Sequence, residues 1–233
     1  MESISTKQTQ VQIRVNDFIR SVYNWMAIGL ALTGFVALYV ASNPTLLNLI
    51  FRNQILFFGL IIGELALVFW ISARIQRMQA STATALFVLY SALNGLTLSF
   101  IFIIYTRASI ASTFFVCAAT FVACSIYGWT TKRDLTSLGG FLMMGLIGII
   151  IASLVNIFIR SSAMHMIISY IGVLVFVGLT AYDTQNLKAM AVSQPADAGA
   201  GVIRKGAILG ALKLYLDFIN LFLMLLRILG NRE

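Results

Sequence analysis

Charged residues are scarce in this chain, and their scarcity excludes most soluble folds. Only 10% of its 233 residues are charged and 60% are hydrophobic, whereas soluble domains have about 25% charged and about 45–50% apolar residues. So much apolar surface exceeds what a water-soluble core can hide. We therefore predict an all-α polytopic membrane protein.

The common signatures of enzymes are also missing. The chain has no GxSxG, no GxxxxGK[ST], no GxGxxG opening a βαβ unit and no HExxH. We expect neither an enzyme nor a bound cofactor. Basic residues outnumber acidic ones by 16 to 8, but they stand single or paired at the ends of apolar segments, so we expect no nucleic-acid partner.

Cysteine and histidine are nearly absent. Cys117 and Cys124 lie seven residues apart in one apolar stretch and match no redox or zinc spacing, so packing is their expected role. The single histidine, His165, has no second metal ligand beside it, and we interpret it as an interfacial residue.

Long apolar runs, by contrast, are plentiful. Windows of about 20 apolar residues, the length that spans a hydrocarbon core, occur seven times. They cover roughly 23–43, 54–73, 82–105, 109–129, 138–159, 165–186 and 208–229. We predict a cytoplasmic N-terminal tail at 1–22 and a seven-helix transmembrane domain at 23–233. The longest connector, Asn186 to Lys205, contains Pro195 and is expected to hold a loop or a short interfacial helix.

The basic residues predict the orientation, because cytoplasmic connectors carry the excess of Lys and Arg. With the N-terminus inside, the inner connectors hold Lys7, Arg14, Arg20, Arg74, Arg77, Lys132, Arg133, Lys188, Arg204 and Lys205, and the outer ones hold Arg52, Arg107 and Arg160. The last segment is polar for a lipid-facing helix, because it contains Lys213, Asp217 and Asn220. It is either surrounded by the other six helices or re-entrant, and we favour the surrounded helix.

Small residues at four-residue spacing predict close helix packing. They are Ser91, Gly95 and Ser99 in the third segment and Gly148 and Ala152 in the fifth. The glycines of the last two segments, Gly172, Gly178 and Gly210, either do the same or permit a bend.

Three acidic residues lie in the apolar segments: Glu64, Asp183 and Asp217. The other five, Glu2, Asp17, Asp134, Asp197 and Glu233, fall in expected tails or loops. A carboxylate in the hydrocarbon region is costly, so it is first considered a functional site. Asp183 is about 7 Å, and Asp217 about 9 Å, from the cytoplasmic surface at 1.5 Å per residue, so the two carboxyl groups can share one level.

Two neighbouring carboxylates in a low dielectric cannot both ionise easily, so the pair retains a proton and senses pH. When deprotonated, it offers the oxygen ligands that Ca²⁺ prefers, but too few for a tight site. The alternative is structural. Asp217 has Lys213 one helical turn away, Asp183 has Lys188 nearby, and each ion pair would simply stabilise the bundle.

Two further residues are candidates for an ion pathway that includes the aspartate pair. Glu64 either lines an outer half-pathway or is protonated and hydrogen-bonded within the bundle. Arg74, at the inner end of the same helix, is placed to reach the aspartate pair, although an ordinary interfacial anchor is the simpler interpretation.

The amino-acid sequence of the last two segments resembles the signature of the Bax inhibitor-1 family, also called the transmembrane Bax inhibitor motif or YccA-like family. The resemblance rests on GLTAYDTQ at 178–185, LYLDFINLF at 214–222 and the LLR that ends at Arg227. The loop TTKRDL at 130–135 is similar to the family's loop, and the short tails resemble those of a bacterial member.

This resemblance implies a seven-helix fold whose last helix is central and wrapped by the other six. It also implies a pH-sensitive calcium leak in which Asp183 and Asp217 match the family's di-aspartyl sensor. In the family pattern an arginine near the inner end of the second helix engages that pair. Here the stretch FWISAR has Ser72 at the aligned position and Arg74 two residues later, which makes Arg74 the candidate latch.

We therefore expect a calcium leak channel of the bacterial cytoplasmic membrane, gated by protonation of the two aspartates, with the lipid bilayer, Ca²⁺ and H⁺ as its partners. One alternative is an interaction protein that modulates a membrane-bound protease, as the resemblance implies for some bacterial relatives. A proton-coupled transporter is another, because a buried acid pair also serves proton relays. An intramembrane aspartyl protease is disfavoured, because no GxGD sequence surrounds Asp217.

Overall fold

The computed structural model describes residues 2–195 and 199–232, with side chains from Gln12 onward. Helices account for nearly all of this part of the chain, and it contains no β-strand. The helices are α1 (Glu2–Ala41), α2 (Pro44–Arg52), α3 (Gln54–Arg74), α4 (Ala80–Leu98), α5 (Ile101–Ile104), α6 (Arg107–Thr130), α7 (Thr136–Ile159), α8 (Ser162–Ser193) and α9 (Ala200–Leu229). The predicted all-α class is confirmed.

Seven helical stretches of the described chain are long and apolar enough to cross a membrane, as predicted. They are Gln12–Ala41, Gln54–Arg77, Ala80–Ile104, Arg107–Thr130, Thr136–Ile159, Ser162–Ser193 and Ala200–Leu229. α1 begins well before the predicted first span and, at 40 residues, is about 60 Å long, roughly twice the hydrocarbon thickness. The N-terminal tail is therefore a helical continuation of the first span.

Polar residues between the spans begin the short helix α2 and the second span. The Asn43 side chain accepts a hydrogen bond of 3.1 Å from the backbone N–H of Thr45, and Pro44 follows it in the first turn. The Asn53 side chain accepts from Leu56 N–H at 3.1 Å. These caps satisfy N–H groups that have no partner inside the helix.

The connector from Asn186 to Lys205 differs from its prediction. It is mostly helical, because α8 continues to Ser193 and α9 begins at Ala200. Residues 187–193, LKAMAVS, include good helix formers and no glycine or proline, so the helix continues until the chain approaches Pro195.

The third predicted segment is interrupted between α4 and α5. Ser99 Oγ donates to the carbonyl of Leu96 at 2.6 Å, and Ser99 N–H bonds the same oxygen at 3.4 Å. A serine that bonds the backbone of its own turn competes with the helical pattern, which accounts for the break.

Of the five acids predicted to be solvated, Asp17 and Asp134 are exposed. Asp17 lies in the predicted N-terminal tail, which is helical here as part of α1. The side chains of Glu2, Asp197 and Glu233 lie outside the described residues.

The chain forms two compact units. One contains the chain up to Ile104 together with Leu187–Tyr215, and the other contains Tyr105–Asn186 together with the chain from Leu216 onward. Both α8 and α9 contribute residues to each unit.

In the first unit α1 packs closely on α4. A Cβ atom on Gly95 would lie 2.7 Å from Val36 Cβ and 2.8 Å from the carbonyl oxygen of Thr33. The Thr33 hydroxyl donates to the backbone oxygen of Ser91 at 2.7 Å. Ser91, Gly95 and Ser99 are all buried, so the predicted packing of the third segment is confirmed.

The beginning of α9 is fastened within the first unit by the basic pair Arg204 and Lys205. Arg204 lies 5.4 Å from the centroid of the Trp25 ring, and its Nε donates to the Thr84 hydroxyl at 3.1 Å. Lys205 Nζ donates to the backbone oxygen of Gln76 at 2.9 Å. These two cations therefore have structural contacts in addition to the role in topology predicted for them.

In the second unit glycines hold α6 and α7 against α8. The backbone of Gly128 contacts the carbonyl of Ala181, and Gly139 lies against the ring of Tyr182. A Cβ atom on Gly178 would meet Leu142 Cδ1 at 2.7 Å. Gly178 thus serves close packing, and α8 runs through it without a break.

The small-residue prediction for the fifth segment is wrong at Gly148. This glycine is exposed and has no neighbouring atom within 4 Å of an added Cβ. Gly145, one turn earlier, makes the contact instead, since its Cβ would lie 3.0 Å from Val175 Cγ2. Sequence spacing identifies a small-residue face but not which helix covers it.

The second half of α9 packs on α6 through aromatic rings. Phe218 lies 5.6 Å from Phe114 and 5.4 Å from Phe121, measured between ring centroids. The buried Cys117 thiol donates to the backbone oxygen of Phe218 at 3.7 Å. Both Cys117 and Cys124 are free thiols, and Cys117 has the packing role predicted from its spacing.

The last span is the most buried of the seven. Within the protein, 67% of its apolar window is buried, compared with 6% for Gln54–Arg77 and 50% for Ala80–Ile104. α9 is one unbroken helix, long and apolar enough to cross a membrane, and the choice between a surrounded and a re-entrant segment stays a prediction. The wrapping of α9 by all six other spans stays a prediction.

Candidate functional site

The two candidate aspartates lie on consecutive helices in the second unit. Asp183 is half-buried on α8, and Asp217 on α9 is buried, with 5% of its surface exposed. Asp183 directly follows Ala181 and Tyr182, which contact α6 and α7. Its position along α8 is therefore fixed by packing on the backbone beside it.

A direct contact between α8 and α9 gives their register. A Cβ atom placed on Gly172 would lie 2.8 Å from both Cγ and Sδ of Met224. The Met224 side chain therefore lies directly against the backbone of α8. Gly172 and Met224 define the faces on which these two helices meet.

Both aspartates lie on those same faces. Asp183 is eleven residues after Gly172, which at 100° per residue is about three turns plus 20°. Asp217 is seven residues before Met224, which is about two turns less 20°. The periodicity therefore predicts that Asp183 faces α9 and that Asp217 faces α8.

The levels of the two aspartates along the helix axes also match closely. From Gly172 to Asp183 the rise is about 16.5 Å, and from Met224 back to Asp217 it is about 10.5 Å in the same direction. The two Cα atoms thus differ in height by about 6 Å, little more than one helical turn. Facing sides and similar levels favour a pair, while the sharing of a proton between the two carboxyl groups stays a prediction.

Gln185, two residues after Asp183, connects α8 to the loop that precedes α7. Its Oε1 accepts from Leu135 N–H at 2.9 Å, and its Nε2 donates to the Arg133 carbonyl at 2.8 Å. The glutamine therefore links the two sequence motifs TTKRDL and GLTAYDTQ. This role was not predicted from the sequence, although a polar side chain two residues after Asp183 in the same motif was a usable signal.

The same loop contains an exposed acid with a distinct environment. Asp134 Oδ1 accepts from Thr136 N–H at 2.9 Å. Side-chain and backbone hydrogen bonds from Thr136 lower the pKa of Asp134 below its ordinary value. Asp134 is thus ionised at neutral pH.

The lysines named as ion-pair partners are both half-buried. Lys213 lies one turn before Asp217 on α9, and Lys188 lies five residues after Asp183 on α8. A spacing of four residues puts Lys213 and Asp217 on one face of the helix. Their pairing stays a prediction.

Glu64 lies in the first unit and is hydrogen-bonded there. The Thr97 hydroxyl is 2.9 Å from Glu64 Oε1 and 3.1 Å from the carbonyl of Asn94, so it donates to one of them at a time. Asn94 Nδ2 in turn donates to the Tyr90 hydroxyl at 3.0 Å. Glu64 thus stands at one end of a line of polar groups that includes Thr97, Asn94 and Tyr90. Such hydrogen bonding is expected of an acid held within the bundle.

A second polar cluster lies beside this line, again within the first unit. The hydroxyls of Thr33 and Tyr215 are 2.7 Å apart, and the rings of Tyr215 and Tyr90 are 5.6 Å apart, centroid to centroid. None of Thr33, Tyr90 and Tyr215 was predicted from the sequence to be a site residue. Hydroxyl groups inside apolar windows were the signal that was available.

Arg74 is exposed at the end of α3. That position is typical of an interfacial anchor, and its proposed role as a latch stays a prediction. Among the described residues no three His, Cys, Asp or Glu side chains form a group able to hold a metal ion. Two carboxylates are fewer ligands than the six to eight that Ca²⁺ takes in a tight site, so a tight resident Ca²⁺ site is not expected at this pair.

Comparison with known proteins bears on this arrangement. Residues 15–233 match the family model described as "Inhibitor of apoptosis-promoting Bax1". The chain belongs to the Bax inhibitor-1 family. The matched region includes Glu64, Arg74, Asp183, Lys213 and Asp217, so every candidate site residue lies inside the family domain.

Relatives within this family are similar along nearly their whole length. Inner membrane protein YbhL of Escherichia coli K12 is 56% identical over 224 residues, covering 96% of this chain and 95% of the relative. An uncharacterized protein of Borreliella burgdorferi is 48% identical over 228 residues, covering 98% and 97%. An uncharacterized membrane protein of Streptococcus pyogenes is 39% identical over 228 residues, covering 97% of each chain.

Proposed function

We propose that this Bax inhibitor-1 family protein is a pH-sensitive calcium leak, gated by protonation of Asp183 and Asp217. The observation that carries the proposal is the register of α8 and α9. Counted by helical periodicity from the contact between Gly172 and Met224, both aspartates are expected to face the neighbouring helix at levels about 6 Å apart.

In this proposal the gate opens and closes through the electrostatic repulsion between the two carboxylates. Two carboxylates that face each other between packed helices repel when both are ionised, so a low-dielectric setting disfavours the doubly charged pair. Asp217 is buried, so water screens this repulsion only weakly. One shared proton removes this repulsion, so the protonated pair draws the helices together and the deprotonated pair separates them or recruits a cation.

Calcium is the cation that this chemistry favours. Carboxylate and carbonyl oxygens are hard ligands, and a site with few of them binds weakly enough to release the ion again. The line of polar groups from Glu64 through Thr97 and Asn94 offers further oxygens along the first unit. In this proposal Glu64 belongs to the pathway and Arg74 to a latch at its inner end.

The location follows from the spans and the relatives. We place the protein in the bacterial cytoplasmic membrane as a multi-pass protein with its N-terminus inside, since the basic residues are concentrated in the inner connectors and the relative YbhL is named an inner membrane protein. It acts without enzymatic chemistry and without a resident cofactor.

Flux through liposomes tests the gate. Purified protein is reconstituted with a Ca²⁺-sensitive dye inside, and flux is measured from about pH 5 to about pH 8, a range in which the proposed pair must gain and lose its shared proton. Asp183→Asn and Asp217→Asn are each expected to remove the pH dependence of the flux, because an amide side chain does not change its charge over this pH range. K⁺ and Na⁺ in place of Ca²⁺ test selectivity.

Asp134→Asn is the matched control. It removes one carboxylate from the same unit, but from an exposed loop residue whose lowered pKa keeps it charged throughout that range. Its flux should follow pH as the wild type does. Flux that keeps its pH dependence in both Asp183→Asn and Asp217→Asn would contradict the proposal and favour the interaction-protein alternative, in which the protein modulates a membrane protease.

A further inference from the structure

A second polar site lies at the opposite end of α8 from the residues that follow Asp183. Here the C-terminal end of α7, the beginning of α8 and the end of α9 surround a cavity of about 600 Å³. Its polar lining includes Arg160, Arg227, Arg232, His165, Asn156 and Ser162. This volume is that of a small-ligand pocket, and all its lining belongs to the second unit.

The charges around this cavity are of one sign. Three arginines line it, and the described lining residues include no Asp or Glu. Arg227 is half-buried within the last span. Arg160 and Arg232 are exposed, but guanidinium groups that line one cavity repel one another unless an anion lies between them.

The turn that presents Arg160 is closely defined. Arg160 has φ of 54° and ψ of 35°, in the left-handed region, and its N–H bonds the carbonyl of Asn156 at 2.8 Å. Asn156 Oδ1 also accepts from Ser161 N–H at 3.0 Å. Glycine or asparagine fits this conformation with less strain. An arginine there costs stability, which fits a function for its side chain.

Arg232 is held in place from the other side. Its guanidinium carbon lies 6.0 Å from the centroid of the Tyr105 ring, and its backbone forms an isolated bridge with Tyr105. The neighbouring Asn231 N–H donates to Ser109 Oγ at 3.0 Å. The last described residues are therefore fixed at the rim of the cavity.

We propose that this cavity binds a phosphate-bearing anion through Arg160, Arg227 and Arg232. Guanidinium groups bind phosphate oxygens bidentately, and serine and asparagine side chains complete such a site. The anion is either a free phosphate compound or the headgroup of an anionic phospholipid. This site is independent of the gating proposal, since it does not involve Asp183 or Asp217.

Binding in nanodiscs separates the two sources. In zwitterionic phosphatidylcholine nanodiscs, inorganic phosphate is titrated calorimetrically. In phosphate-free buffer, native mass spectrometry counts phosphatidylglycerol molecules retained from mixed-lipid nanodiscs. Phosphate binding in the first experiment indicates a free anion, and selective retention in the second indicates a lipid headgroup. Either result supports the site, and the absence of both overturns it.

The variants identify the residues. Arg160→Asn and Arg232→Gln are each expected to weaken binding roughly tenfold or more, the loss typical of a charge-assisted hydrogen bond. Asparagine suits the left-handed backbone at this position, so Arg160→Asn should fold at least as well as the wild type. The control is Arg107→Gln, an exposed arginine at the beginning of α6 that is not part of the lining. An equal loss of binding in Arg107→Gln would contradict the proposal, because it would show only a general attraction to positive charge.

Discussion

A methyl group added at Gly128 tests whether tight packing of α6 on α8 positions Asp183. In the structure this glycine contacts the carbonyl of Ala181, two residues before that aspartate. A Cβ atom there would overlap the carbonyl oxygen and lie 2.9 Å from the carbonyl carbon and 3.0 Å from Cα. All three atoms belong to the backbone, so no side-chain rotation relieves the overlap.

The magnitude follows from comparison with a second glycine. Gly148→Ala adds the same methyl group to α7, where nothing lies within 4 Å. Both substitutions gain the helix propensity of alanine over glycine, about 1 kcal/mol, but only Gly128→Ala must also push two helices apart. Overpacking of this kind typically costs about 1–3 kcal/mol. Gly128→Ala should therefore be less stable than Gly148→Ala by about that amount.

Thermal unfolding of the purified protein measures the difference. For a chain of this length 1 kcal/mol corresponds to about 2–4 °C in Tm, so Gly128→Ala should unfold about 2–12 °C below Gly148→Ala. Because the displaced backbone precedes Asp183, the pH dependence of calcium flux should also change in Gly128→Ala and remain as in the wild type in Gly148→Ala. Equal Tm values for the two variants would refute the packing argument.

Two further substitutions test individual hydrogen bonds. Thr97→Val removes the donor to Glu64 and should cost about 1–3 kcal/mol of stability, which would be measured as a lower Tm. In the control Thr120→Val, the lost hydroxyl bonds only its own helix at an exposed site, so Tm should change little. Equal effects of the two substitutions would show that the bond to Glu64 has no special importance. Gln185→Leu removes both bonds to the loop before α7, and trypsin should then cut that basic loop several-fold faster, while an unchanged cleavage rate would exclude Gln185 as its anchor.

The sequence by itself determined the number and approximate limits of the spans, because length and hydropathy are properties of each segment taken alone. It also identified the acids worth attention, since a carboxylate in an apolar run stands out without any coordinates. Two predictions from the sequence failed because hydropathy does not describe the local backbone. The connector after Asn186 continues as helix because its residues favour helix, and the third segment breaks at Ser99 because that residue forms a hydrogen bond within one turn.

Only the tertiary structure decided which helix faces meet. Gly148 and Gly172 look equivalent in sequence, yet one is exposed and the other lies against Met224. That contact brings one face of α8 against α9, and helical periodicity counted from it is the basis for proposing that Asp183 and Asp217 face one another's helices. Gln185 reaches back about 50 residues along the chain, and Arg160 shares a cavity with Arg227 and Arg232. Helical periodicity specifies what one helix presents on each side, whereas the partner of each side depends on packing between segments distant in sequence.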